Sequence, residues 1–324
     1  MATITAVVPA RVVEGGRVAL EGSDLPTEIV PSVVVGEEPA RTLFASSTKI
    51  VVDLPADVEG GRIPVRIENV PGETIYLSVG AVWATGLHQV DNPIFDRVGN
   101  LYVTYSGSRG QEAPVSIFRV TPGGTREPFV SGIVNATSMA FGPDGHLYVS
   151  SRFEGSVYRI NDDGSHQQIA SDLGVACGLT FDADGHMYVG DRSGTIFRIR
   201  DGKATMFASL PASIAAFHLA MSPDGELFVS GPTLGTYDHI HRITASGDVR
   251  TVPTPFGRPQ GLTFGPDGAL YVVDAMAGSS GLYRFATPDA TPELVVSGGA
   301  LVGVAFGPTG SLVVASNETV YRFD

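Results

Sequence analysis

Asp91, His218 and Asp274 are the candidate catalytic residues of this chain, because each places an ionisable side chain beside or within a short run of β-forming apolar residues. A carboxylate at such a place can hold a cation or accept a proton, and a histidine can do either near neutral pH. Asn92, Ser138, Arg258, Gln260, Tyr105 and Asp191 occupy comparable positions and offer the hydrogen-bonding groups that would line a ligand. A second arrangement is open to His218, which could join His88, His239 or His241 around a transition metal. Asp238-His239-Ile240-His241, however, puts both of its histidines on one strand face by period two alone. Asp191 and Asp274 have a plainer use as acceptors for nearby loop amides. The single Cys177 reads as a small buried filler, with no activating partner visible in the sequence.

What must position these residues is a repeat. The stretch AFGPDGHLYVSS from Ala140 to Ser151 recurs as FDADGHMYVG from Phe181, MSPDGELFVS from Met221, FGPDGALYVV from Phe264 and FGPTGSLVVA from Phe306. A worn copy, FDRVGNLYVT, starts at Phe95. Each is an apolar run, a tight turn and a second apolar run. Proline pre-sets φ at the second turn position, Asp favours the third, and Gly accepts a positive φ at the exit. A third strand follows with a central arginine, at Arg119, Arg159, Arg198, Arg242, Arg284 and Arg322, spaced 40, 39, 44, 42 and 38 residues apart. A fourth follows, as in Thr205-Met206-Phe207-Ala208. The spacing is that of propeller blades, and six units of four strands predict an all-β, six-bladed β-propeller. The recurring arginines are architectural. The last unit ends after its third strand, and residues 81–87 look like a fourth strand placed ahead of the first hairpin. They are expected to close the ring, with the only tryptophan, Trp83, packed between blades.

This topology localises a site. The PDG turns share one face, and the starts of inner strands and ends of second strands share the other. That mouth collects Asp91, Asn92, Asn135, Thr137, Ser138, Cys177, Phe217, His218, Arg258, Gln260 and Val302 from inner strands. From second strands it collects Tyr105, Ser151, Arg152, Asp191, Arg192, Ser230, Asp274 and Asn317. Long connections at Tyr105–Val115, Gly231–His239 and Asp274–Gly281 cover it, and long loops around one mouth are where recognition is placed. His146 and His186 follow turns on the opposite face and read as surface residues.

The net charge of −13 excludes a nucleic-acid footprint, and no run is long enough for a membrane-spanning helix. Basic charge is nearly all arginine, the only lysines being Lys49 and Lys203, which reads as genomic bias. The opening MATITAVVPARVVEGG lacks the basic and apolar regions of a secretory leader, so a cytoplasmic protein, or one secreted after leader removal, is expected. Residues 1–79 lack the repeat and carry short strands such as Arg17–Leu20, Val33–Val35, Lys49–Val52 and Ile63–Ile67, punctuated by Gly, Pro and Asp. They predict a small sandwich, with the propeller over 80–324. Ile4 to Pro9, the Gly15-Gly16 turn, Gly22, Val33-Val34-Val35-Gly36 and the Pro55 that ends Val51-Val52 make this segment resemble the IPT/TIG family of immunoglobulin-like domains. The resemblance implies a spacer or adhesion module without chemistry of its own, one that folds separately.

The PDG hairpins, with inner strands such as Pro259-Gln260-Gly261-Leu262-Thr263-Phe264 and Ala176-Cys177-Gly178-Leu179-Thr180-Phe181, make residues 80–324 resemble the NHL-repeat and SMP-30/gluconolactonase superfamily. In the lactonases a divalent metal at the mouth is held by one Glu, Asn residues and an Asp. The ring that aligns here is Asp91, Thr137, Cys177, Phe217, Gln260 and Val302, in which only Asp91 is a carboxylate. The resemblance implies one divalent cation, calcium ahead of zinc, on Asp91. It also implies a small-molecule or glycan ligand and metal-assisted hydrolysis of a lactone or ester. The alternative it implies is a non-catalytic module recognising protein or carbohydrate.

Overall fold

The structure, a computed structural model, describes residues 2–27, 30–70 and 74–323. Each copy of the repeat forms a four-stranded antiparallel sheet in meander order. The inner strands are Ile94–Phe95, Ala136–Phe141, Ala176–Phe181, His218–Met221, Pro259–Phe264 and Leu301–Phe306, in blades 1 to 6. They hydrogen-bond to second strands Leu101–Thr104, Leu147–Ser151, Met187–Asp191, Leu227–Ser230, Leu270–Asp274 and Leu312–Ser316. The expected closure is present. The strand Ala81–Ala84 pairs antiparallel with the third strand of blade 6, Ala81 opposite Arg322 and Ala84 opposite Val320. Trp83 stacks on Phe95 of blade 1 with ring centroids 5.8 Å apart, sealing the first blade to the last.

The repeated residues explain the docking of blades. The tyrosine or phenylalanine of one second strand meets the phenylalanine of the next inner strand edge-to-face. Tyr102 meets Phe141 at 5.9 Å, Tyr148 meets Phe181 at 5.0 Å, Phe228 meets Phe264 at 5.2 Å and Tyr271 meets Phe306 at 4.8 Å. Such pairs contribute about 0.5–1.5 kcal/mol each beyond their buried area. The turn aspartates are frame as well. Asp144 accepts from Tyr148 Oη at 2.9 Å and Arg159 Nε at 3.0 Å, and Asp267 accepts from Tyr271 and Arg284. Burial alone would raise the Asp144 carboxyl, but these bonds and the His146 amide hold it below its ordinary value. The third-strand arginines are thus structural. Arg242 pairs with Glu226, and Arg322 lies over the Trp83 ring at 4.9 Å. Small residues line the axis because neighbouring strands crowd there. A Cβ on Gly261 would stand 2.1 Å from Asn92 Oδ1, and one on Gly303 would stand 2.8 Å from the Asp91 carbonyl oxygen.

The N-terminal residues form two facing sheets around Val18, Leu20, Val33, Val35, Ile50, Val52, Val65 and Leu77. The joint is broader than the Ser78-Val79-Gly80 connection read from sequence. Arg11–Val12 pairs in parallel with both Ile75–Val79 and the outer strand of blade 5, Glu293–Ser297, so one sandwich sheet and blade 5 form a continuous nine-stranded sheet. The Val13 amide donates to the Ser297 carbonyl at 2.9 Å, and the Val13 side chain packs in the core between blades 5 and 6. A spacer hinged at one point would make no such contacts.

Candidate functional site

Asp91 and His218 are the predicted catalytic residues whose side chains the fold brings together. Asp91 precedes the short inner strand of blade 1, and His218 opens that of blade 4, on the opposite side of the ring. Their side chains meet at 2.6 Å, Asp91 Oδ1 to His218 Nδ1, with Asp91 3% and His218 0% exposed. A carboxylate accepts only, so His218 carries its proton on Nδ1 and donates it. Asp91 Oδ1 also accepts the Asn92 amide at 2.7 Å. His218 Nε2 is buried and has no partner among the described residues. Leaving such an atom unpaired costs about 1–3 kcal/mol. Toward the turns, the axis opens into a cavity of about 290 Å³ walled by Met139, Leu179, Leu219, Leu262 and Val304. None of its lining side chains is ionisable, so the ionisable chemistry of the axis belongs to the Asp91–His218 pair.

The other predicted residues are placed as follows. The Asn92 side-chain amide donates to the Leu262 carbonyl at 2.8 Å and accepts from the Val304 amide at 2.9 Å, tying blade 1 to blades 5 and 6. Asp274 accepts from the amides of Arg258 at 2.7 Å, Gly257 at 3.1 Å and Met276 at 3.1 Å. Asp191 accepts from the Val175 amide at 2.8 Å and from the Ser193 hydroxyl. These three are fixed in the frame, as the loop-amide reading of the two aspartates anticipated. Ser138 and Gln260 are buried, Arg258 is exposed, and the half-buried Tyr105 ring packs edge-on to His88 at 6.0 Å.

The donor set does not fit a calcium ion on Asp91. Hard cations take several oxygens, usually more than one carboxylate. Here the neighbouring ring positions are Thr137, Cys177, Phe217, Gln260 and Val302, and the nearby aspartates are saturated by amides. A transition-metal centre on His218 with His88, His239 or His241 is not assembled. Among the described residues, the one group of three ligand types whose atoms lie within 4.8 Å is Asp182, Asp184 and His186, on the turn face. There Asp182 accepts from the His186 amide at 2.8 Å and from Tyr188 Oη at 3.0 Å, and meets His186 Nδ1 at 2.9 Å. His186 is therefore half-buried in this network, not a free surface residue.

Sequence reasoning placed Arg152 and Arg192 at the mouth without singling them out. Arg152 follows the second strand of blade 2 and Arg192 that of blade 3, at equivalent posts. Arg109 comes from the long blade 1 loop, which Asn135 pins by accepting the Gly110 amide at 2.7 Å and donating to the Ser108 carbonyl at 2.9 Å. Burial holds the Arg152 guanidinium below its ordinary range, and repulsion from Arg192 and Arg109 adds to this. Burial and then Arg152 lower His88, against Glu318. Burial, with Asp91, pushes the Cys177 thiol up to about 12 despite Arg152 and Arg192, so it is no nucleophile. The signal available in the sequence was a recurrent position, directly after the second strand in adjacent blades.

Residues 2–80 match the IPT/TIG domain family. No curated protein matches the chain. Among solved structures, a gluconolactonase from Xanthomonas campestris is similar at 15% identity with a TM-score of 0.58, over 74% of this chain and 88% of that one. A virginiamycin B lyase from Staphylococcus aureus is similar at 18% identity and a TM-score of 0.55, over 95% of this chain and 99% of that one. An auxiliary nutrient binding protein from Bacteroides ovatus is similar at 12% identity and a TM-score of 0.59, over 99% of this chain and 97% of that one. The fold is therefore a six-bladed propeller, similar to those of these solved structures, behind an N-terminal segment that matches the IPT/TIG domain model.

Proposed function

We propose that this protein binds a small molecule at the propeller mouth and hydrolyses an ester or lactone bond in it, with His218 as general base. The observation that carries the reading is the buried Asp91–His218 pair with its unpartnered Nε2. Asp91 fixes the tautomer, so Nε2 presents a lone pair. At 0% exposure no water-sized sphere touches that atom in this conformation, so the reaction requires the surrounding strands to open enough to admit one water molecule. The matching chemistry is removal of a proton from that water as it attacks a carbonyl seated above. Positioned base catalysis of this kind contributes about 10²–10⁴-fold. No step is routed through a metal, because the donor set around Asp91 does not suit one. The division into residues 1–79 and 80–324 belongs to the same proposal and is supported by the change from facing sheets to a closed ring. The partners proposed are small molecules or glycans, with neither nucleic acid nor membrane.

A second reading, recognition without turnover, is favoured by one observation: Asp191 and Asp274 are both committed to loop amides, which leaves neither carboxyl free to act on a leaving group. Turnover of a panel of aryl esters and lactones by the full chain and by His218→Gln separates the two. Hydrolysis that falls at least about 100-fold in the variant supports catalysis. Equal turnover in both removes His218 as the base, and no turnover in either with binding retained leaves recognition. Metal analysis of the purified chain is expected to find less than stoichiometric calcium or zinc.

A further inference from the structure

The chain has 34 acidic and 21 basic Lys and Arg side chains, so an arginine is on average easily matched. On the turn face and outer strands several are matched, as in Arg159 with Asp144, Arg284 with Asp267 and Arg119 with Glu127. At the mouth three are not. Arg109, Arg152 and Arg192 have neither an ion pair nor a side-chain hydrogen bond among the described residues, and Arg152 is half-buried. Asp191, which precedes Arg192 in the chain, is turned into the Val175 and Ser193 amides. Asn135 accepts the Arg152 amide at 3.3 Å and the Gly110 amide at 2.7 Å, which brings Arg109 beside Arg152, and Arg192 stands at the equivalent post of the next blade, so like charges are gathered at one place and repel until something negative joins them.

We infer that the mouth is built for an anion: Arg152 and Arg192, with Arg109 from the covering loop, grip a carboxylate or phosphate group of the ligand. Guanidinium groups suit this task because their planar fork matches oxyanions in pairs. Ala176 and Cys177 on the inner strand of blade 3 pair with Asp191 and Gly190, directly before Arg192, and Cys177 lies within the field of Arg152, Asp91 and Arg192 alike. The anion site therefore adjoins the Asp91–His218 pair, and a ligand held by its charge would present its remaining atoms to the axis. This rests on the mouth being the small-molecule site and adds the charge of what it takes.

The test is calorimetric titration of the full chain, at low salt, with inorganic phosphate, citrate and, as a neutral probe, glucose. Phosphate or citrate should bind at about 1 mM or tighter, glucose should not, and which anion binds separates the two chemistries. Arg152→Gln/Arg192→Gln should lose about tenfold or more in affinity, and Arg97→Gln on the turn face should lose nothing. The double variant should melt no lower than the parent, because repulsion is removed and no native bond is broken. Failure of both anions to bind the parent, or undiminished binding by the double variant, overturns the inference. The catalytic reading fails separately. If turnover depends on His218 while charged and neutral esters keep equal KM in parent and double variant, only the anion inference falls. If arginine-dependent binding stands but His218→Gln leaves turnover unchanged, only catalysis falls.

Discussion

Asp91→Asn should abolish the chemistry of the axis while leaving the fold nearly intact, and the structure says by how much. Asp91 now accepts the Asn92 amide at 2.7 Å. Toward His218 an asparagine can only donate through its NH₂ or accept a weaker bond. Asp91 takes both bonds on the one oxygen Oδ1, so turning the NH₂ to Nδ1 moves the imidazole proton to Nε2, makes the base a donor, and leaves the Asn92 amide without that acceptor. The expected loss of turnover is about 10²–10⁴-fold, the usual contribution of a positioned base. His218 keeps a partner and the Asn92 amide loses one, so stability should fall by about 1–3 kcal/mol. Asp91→Ala is the contrast. It strands the Asn92 amide and His218 Nδ1 together, at about 1–3 kcal/mol each, or roughly 2–6 kcal/mol in all. Urea denaturation measures both stabilities, and nitrogen-15 NMR of the imidazole reports the tautomer without any substrate. An unchanged tautomer with unchanged turnover in Asp91→Asn, or an Asp91→Ala as stable as the parent, would refute the reasoning.

Two further outcomes follow from the fold. Deleting residues 2–79 removes Val13 from the core between blades 5 and 6, at about 1.5–3 kcal/mol. Deleting 2–87 also removes the closure strand with buried Ala84 and Leu87 and should cost at least about 2 kcal/mol more, so equal denaturation midpoints would contradict closure by residues 81–84. Melting points should fall as pH drops below 6.5. His88 is lowered by burial and then Arg152, and His241 by burial and then His239, so the unfolded chain takes up protons that the fold resists. The loss grows from pH 6.5 down to the folded values and then levels. His88→Gln/His241→Gln should flatten it, and an equally steep decline in that variant would count against the assignment.

The architecture was legible because it is repeated and local. The PDG turn, the alternating apolar strands and the recurring aromatic each act within a few residues, and six copies of one unit that cannot bury its own faces must stack in a ring. Closure was legible for the same reason, since Ala81–Ala84 has the pattern of a fourth strand and blade 6 lacks one of its own. The list of mouth residues also followed from strand order. What each does there did not, because hydrogen-bond partners come from other blades. Asn92 and Asp274 look alike in sequence as polar residues at strand ends. Folding spends the first on the backbones of Leu262 and Val304 and the second on its own loop. Asp91 and His218 stand 127 residues apart and meet only because blades 1 and 4 face each other across the axis. The gathering of Arg109, Arg152 and Arg192 is likewise tertiary: a charge is neutral information in a sequence until its neighbours in space are known. The sheet shared by Arg11–Val12 and blade 5 was hidden too, because two residues of strand carry no pattern and their edge partner lies at Glu293–Ser297.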